Sequence, residues 1–281
     1  MILLPEYLRI PATELGRGTQ VKIVVKKDMA AIGETMAADM LEEIQRAQRE
    51  RRHATLIVPV GPIEQFAVLA RKLNAERIDA REVMLINMDE YLGPDDACIP
   101  LEHPLSFRGF MNRSFYDLLE PTLAPRPENR VFPDPKNPGA LAAVIDRRGG
   151  VDACFGGIGI NGHIAFNEPP EPGETIPDTE FAQLPTRVLN LSKETRTINS
   201  VTVGGEGAVI PLRAVTVGMK EILGARRLRL YCNRPWQSAV VRRALHGPVT
   251  SACPASFMRH HADARLTVAE YVAAPPQISL R

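Results

Sequence analysis

The chain has 281 residues, with 34 Lys and Arg against 33 Asp and Glu, a formal net charge of +1. That balance argues against a nucleic-acid or acidic-surface partner, which a concentrated basic excess would favour. With 44% hydrophobic and 24% charged residues, disorder is excluded as the main state, and the length suits one large α/β domain or two small ones. The longest apolar stretch, around residues 55–63, is too short to span a bilayer, so no membrane partner is expected. The opening MILLPEYLR has no basic region and is interrupted by Pro5 and Glu6, which argues against a secretory signal. The four cysteines, Cys98, Cys154, Cys232 and Cys253, show no metal-ligand spacing, and two of them sit in apolar runs. Buried, reduced thiols of a cytoplasmic protein are expected, not a disulfide framework or a zinc site.

In chain order, residues 21–25 form a β-branched run and read as the first strand. Asp28 then caps a helix that carries Ile32, Met36, Met40 and Ile44 on one face. Residues 55–60 are continuously apolar, the pattern of a strand buried on both faces. A helix follows over 63–73, then another buried strand over 83–87. The stretch 104–119 reads as a helix bearing Phe107, Phe110, Met111 and Phe115. A short helix is expected at 140–147 and a strand at 151–155. Later strands fall at 187–191, 214–217, 228–232 and 266–269, with a helix at 235–245. This alternation predicts an α/β fold built on a mostly parallel sheet covered on both faces.

Two stretches break the rhythm. Six prolines between Pro121 and Pro138, and five between Pro169 and Pro185, exclude regular helix and central strand. The first reads as a surface connection and the second as a lid or rim over a site. No internal repeat and no dividing linker is visible, so residues 1–281 read as a single domain.

Two motifs could carry chemistry. Asn87-Met88-Asp89-Glu90-Tyr91 follows a buried strand, where open parallel sheets bind ligands. Its adjacent carboxylates are candidates for general-base work, or they solvate a loop. The second motif is GGIGINGHIAFNEP at residues 156–169. It contains G-x-G-x-x-G at Gly157, Gly159 and Gly162, yet Pro169, Pro170 and Pro172 follow too soon for the helix that a dinucleotide fingerprint must open. The glycines instead let backbone approach a ligand or adopt positive φ. His163 and Glu168 share this loop, and a histidine oriented by a carboxylate is an acid–base pair; a structural pair has the same composition. There is no G-x-S-x-G elbow, no P-loop and no H-E-x-x-H.

Together these stretches resemble the glucosamine-6-phosphate deaminase (isomerase) family. The matching segments are NMDEYLG at 87–93, EHPLSFRGFMNRSFYD at 102–117, GGIGINGHIAFNEP at 156–169, TRVLNLSKETR at 186–196 and AVTVGMKEIL at 214–223, with PASFMRHH at 254–261 weaker. The GHIAFNEP string separates this branch from the related 6-phosphogluconolactonases. The resemblance implies a Rossmann-like sheet with additional elements. It also implies conversion of an amino-aldose into a ketose with release of ammonia, without metal or other cofactor. By position, Asp89 would move the proton between C2 and C1, His163 would open the pyranose ring, and Glu168 would hold and polarise the imidazole. Asn161 stands where many members carry Asp; an amide can orient the ring but adds no charge. Glu90 and Gly159 fall among the substrate contacts. Since some members are hexameric, a homo-oligomer is left open.

The match breaks at the phosphate. The family loop after the second strand reads Leu-Pro-Thr-Gly-Gly-Thr-Pro, whereas this chain has Val58-Pro59-Val60-Gly61-Pro62-Ile63-Glu64. Gly61 and Pro62 occupy the contact positions, but both hydroxyls are gone, Pro62 removes an amide donor, and Glu64 adds an anion. Val201 replaces a family arginine and Leu212 a lysine that some members carry. The expected substrate is therefore an amino sugar that is unphosphorylated, or whose anion is bound elsewhere. Arg108 and Arg213 are candidates for a relocated contact, or else ordinary ion-pair residues. Arg187 matches the allosteric pocket of some members, but Leu189 does not, so no activation by N-acetylglucosamine 6-phosphate is expected. Two alternatives stand beside the deaminase: an aldose–ketose isomerase acting on a non-amino or unphosphorylated sugar, and a non-catalytic sugar-sensing homologue. Ammonia release separates the first two.

Overall fold

Continuous apolar runs too short for helices become the centre of a parallel sheet. A computed structural model describes residues 3–60 and 64–279. Its strands are β1 (Lys22–Lys26), β2 (Thr55–Val58), β3 (Met84–Asn87), β4 (Asp89–Leu92), β5 (Arg130–Val131), β6 (Ala153–Gly156), β7 (Arg187–Asn190), β8 (Arg213–Thr216), β9 (Leu228–Cys232) and β10 (Ala264–Ala269). Seven of them form one sheet in the order β1-β10-β9-β6-β2-β3-β5, with every neighbouring pair parallel. Strands β2, β3 and β6 are buried at every position, so the sheet is covered on both faces. From the middle, the chain runs outward through β2, β3 and β5, then returns to β6 and runs the other way. The carboxyl ends of β2 and β6 therefore flank a topological switch point, where such sheets open a crevice.

The remaining strands, β4, β8 and β7, pair antiparallel in a second, three-stranded sheet. This corrects the expectation that the strands near 187–191 and 214–217 join the main sheet. It also corrects the reading of Asp89 to Tyr91 as a loop. One residue, Met88, separates β3 from β4; acidic residues have little intrinsic strand preference, and pairing with β8 supplies what propensity does not.

Helix α1 (Met29–Arg49) starts where its sequence predicts: the Asp28 side chain accepts from the Ala31 N–H at 2.9 Å, and Ile32, Met36, Met40 and Ile44 are buried. Helices α2 (Gln65–Ala75), α3 (Phe107–Ser114) and α4 (Ala140–Arg147) follow. The predicted helix over 104–119 is broken: α3 ends at Ser114, and a 3-10 turn covers Tyr116–Leu118. The second proline-rich stretch holds a one-turn helix, α5 (Asp178–Phe181), because Pro177 and Pro185 bracket that turn and do not interrupt it. Phe181 stacks on Phe257, and Asp178 accepts from the Ser251 N–H at 2.6 Å. Helices α6 (Lys193–Asn199), α7 (Met219–Leu223), α8 (Gln237–His246) and α9 (Glu270–Ala273) complete the set. The four cysteines are all free thiols. Among the described residues no helix is long and apolar enough to cross a membrane.

Candidate active site

Strand pairing creates the first half of the site. In the antiparallel register Asp89 on β4 stands opposite Thr216 on β8, so the two side chains share one face of the small sheet. The Thr216 hydroxyl donates to Asp89 Oδ1 in a short bond, and the Phe166 N–H donates to the same carboxylate oxygen at 3.2 Å and to Thr216 Oγ1 at 3.0 Å. Among the described residues, no hydrogen bond ends on Oδ2. Burial pushes the Asp89 carboxyl up to about 7, against the opposing pull of the Thr216 hydroxyl, His163 and the Phe166 amide.

The loop after β6 supplies the second half. Residues 157–176 contain neither helix nor strand, which agrees with rejecting the dinucleotide fingerprint. Gly162 has φ of +96°, and a Cβ there would stand 2.7 Å from Cys253 Sγ, so the position requires glycine. Ala165 also adopts the left-handed region, with φ of +53°, a local cost that turns the next amide toward Asp89. The loop thus reaches Asp89 through Phe166, three residues beyond His163, and the two rings lie edge to face with centroids 6.0 Å apart.

Asn161, His163 and Glu168 form a connected cluster. Asn161 Oδ1 lies 2.8 Å from His163 Nδ1 and accepts from the His163 N–H at 3.2 Å. Its amide nitrogen donates to Glu168 Oε2 at 2.6 Å and to Ser192 Oγ at 3.2 Å. These donations fix the amide orientation, so an acceptor oxygen faces Nδ1 and the neutral ring carries its proton there. Among the described residues no hydrogen bond reaches Nε2. It lies directly over Gly159, where any Cβ would overlap the imidazole. Glu168 Oε2 is 3.4 Å from Nδ1, and Oε1 accepts from the Ser192 N–H at 3.2 Å. Burial would raise the Glu168 carboxyl, but contacts with His163, Asn161 and Thr195 outweigh it and hold the group down at about 2.

Not every candidate joins this cluster. Glu90 follows Asp89 and therefore points to the opposite sheet face. Its carboxylate is wholly buried and accepts from Ser106 Oγ at 2.9 Å, the Phe107 and Arg108 N–H groups at 3.1 and 3.0 Å, and Arg108 Nε at 3.1 Å. It anchors the N-terminus of α3 and offers no open oxygen to substrate. Arg108 spends its guanidinium on Glu90 and on the Ile99 carbonyl. Arg213 is three residues from Thr216, on the opposite face, and pairs with Asp96 at the surface. Glu90, Arg108 and Arg213 are thus engaged with other protein groups, and for the two arginines this is the ion-pair alternative. Gly61 and Pro62 lie outside the described residues.

Several participants were not singled out from sequence. Thr216, Ser192, Thr195 and Asn167 all lie inside or beside the matched segments, but only their neighbours in space give them a role. Ser192 is the exception with a local signal, since a serine before Lys193-Glu194-Thr195 marks a helix start; it caps α6 by accepting from the Thr195 N–H at 3.1 Å. Among the described residues, no group of three or more His, Cys, Asp or Glu could hold a metal ion.

Comparison with known proteins gives a consistent picture. No protein-family model matches the chain. The chain is 30% identical over 261 residues to a glucosamine-6-phosphate deaminase of Streptomyces coelicolor, covering 90% of this chain and 92% of the relative. It is 29% identical to glucosamine-6-phosphate deaminase 2 of Bacillus subtilis, covering 90% and 96%. Among solved structures it superposes on a monomeric glucosamine-6-phosphate deaminase with a TM-score of 0.76 at 24% identity, covering 90% of this chain and 99% of the other. A 6-phosphogluconolactonase from Thermotoga maritima follows with a TM-score of 0.64 at 13% identity, covering 89% and 100%.

Proposed function

Since the chain belongs to the glucosamine-6-phosphate deaminase family, we propose that it converts an amino-aldose into a ketose and ammonia, on a sugar whose phosphate is not held in the family's usual way. His163 Nε2 takes the proton from the C1 hydroxyl and returns it to the ring oxygen, opening the pyranose. Asp89 Oδ2 removes the proton from C2 and delivers it to C1, while O1 gains the proton that the amine nitrogen loses, so C1 becomes a hydroxymethyl group and C2 an imine. Water then adds at C2, and ammonia leaves with the two protons that balance the step. Glu168 and Asn161 hold the imidazole in one orientation throughout.

The observation that carries this reading is the Phe166 amide, which ties the loop bearing His163 to the carboxylate on β4. A carboxyl near neutrality and an imidazole held through Nδ1 by Asn161 and Glu168 are the two groups such proton transfers need. The altered phosphate handling is supported by two further side chains. Val201 and Leu212, which stand where the resemblance expects cationic groups, are 68% and 60% exposed and offer no charge to an anion.

A panel of amino sugars and sugar phosphates, monitored for ammonia and ketose with an Asp89→Asn control, tests the proposal. The expected outcome is ammonia released in step with ketose, with the unphosphorylated sugar turned over at least as well as glucosamine 6-phosphate. Ketose without ammonia would move the function to a plain isomerase. Ordinary turnover of glucosamine 6-phosphate with an inert unphosphorylated sugar would refute the phosphate argument.

A further inference from the structure

The small sheet carries a row of three side chains on one face. Thr216 on β8 stands opposite Asp89 on β4 and opposite Arg187 on β7, so acid, hydroxyl and guanidinium line up across the strands. Between them, the members of the row reach two adjacent residues of the loop after β6. Asp89 Oδ1 and Thr216 Oγ1 share the Phe166 N–H, while Arg187 Nη1 donates to Asn167 Oδ1 at 2.7 Å. The Asn167 amide completes the clamp by donating to the Ile164 carbonyl at 2.9 Å and the Val217 carbonyl at 2.8 Å.

We infer that Thr216 is the positioning residue of the acid–base centre: its hydroxyl fixes the Asp89 carboxylate with Oδ1 turned into the sheet and Oδ2 turned to the ligand, while the row clamps the loop bearing His163 at its proper distance. The inference rests on the proposed reaction for its consequence but on geometry alone for its premise. Thr216 is fully buried and has one proton to give. Of its two acceptors, the Val217 carbonyl lies farther, at 3.3 Å, and the nearer is the Asp89 oxygen that the Phe166 amide also holds. Without the hydroxyl, Oδ1 keeps a single donor and the carboxylate can rotate about χ2, which is a soft torsion. The hydroxyl also favours the ionised form of Asp89. The other titratable or charged groups around Asp89 are His163 on the loop, Glu90 and Tyr91 on its own strand, Cys154 on β6 and Arg187 in the row.

The Phe166 amide is a built-in reporter, because its N–H ends on the carboxylate that titrates. Its 1H–15N resonance is followed against pH in the whole protein, and in a His163→Gln background that removes the imidazole's own titration. The native midpoint is expected near 7. In Thr216→Val it moves up by about one to two pH units, the change for losing a hydrogen bond to a charged group, and Thr216→Ser restores it. Thr216→Ala, which adds no methyl in place of the hydroxyl, carries the same expectation if Thr216→Val does not fold. The acid limb of kcat/KM is expected to move in parallel, with KM changing less than kcat. An unmoved midpoint in the variants lacking the hydroxyl, or a serine variant that behaves like valine, overturns the inference even if the enzyme is active. A moved midpoint in a protein that releases no ammonia from any amino sugar upholds the positioning role and refutes the proposed reaction instead.

Discussion

Burial raises a carboxyl group's pKa because it penalises the charged form more than the neutral one. Asp89 is such a group, and at about 7 it exchanges its proton where the cell works. As the proposed general base it must be ionised, so kcat/KM is expected to fall as pH drops through that value; a profile flat from pH 5 to 9 would show that another group removes the C2 proton. Asp89→Asn keeps the shape but removes the base, and a loss of about 10²–10⁴ in kcat is expected. The contact under His163 gives a second test at this scale. Gly159→Ala places a methyl where Nε2 lies, so the ring must move. Turnover is expected to fall by at least tenfold with the fold unchanged, read by initial rates beside circular dichroism.

Between residue and fold, short elements decide which face a side chain meets. Asp89 and Glu90 are adjacent in sequence and equal as candidate bases in composition. The pleat of β4 separates them: one faces the loop of His163, and the other faces the first turn of α3. Glu90→Gln leaves the hydroxyl and amide donors of that turn with a neutral acceptor that also brings unwanted protons. A loss of about 1–3 kcal/mol in unfolding free energy is expected, read by urea denaturation. Asp28→Ala is the contrasting case. It removes only the cap of α1, with an expected cost of about 1 kcal/mol and no change in kcat/KM, since α1 contributes no side chain to the site.

At the scale of the whole molecule, Asp89 works against stability. Asp89 is protonated in both folded and unfolded chains below its ordinary value of 3.8, so it has no net effect there. Between 3.8 and about 7 the unfolded chain ionises Asp89 while the folded chain keeps its proton, so stability falls across that window and is fully lost once pH has risen through about 7. Asp89→Asn is therefore expected to stabilise the protein by roughly 2–4 kcal/mol at pH 8, with the gain disappearing by pH 4. Thermal melts across that range check it. Glu168 has the opposite sign. Held down at about 2, it contributes stability above its ordinary 4.5 that is lost as pH falls toward 2.

Local signals were enough for the parts of this protein that local physics governs. Apolar runs marked β2, β3 and β6, Asp28 marked the start of α1, and the prolines after Glu168 ruled out a helix behind the glycine-rich turn. The matched segments pointed to Asp89, His163, Glu168 and Asn161. What the chain alone left open depends on contacts between residues distant in sequence. The split into a parallel sheet and a small antiparallel one rests on which strands meet, because strand patterns look alike whichever partner they find. The separation of Asp89 from Glu90, the surface placement of Arg213 and the clamp of Thr216 and Arg187 on Phe166 and Asn167 follow from that pairing. A hydroxyl has no address in a sequence until the strand opposite supplies the carboxylate it holds.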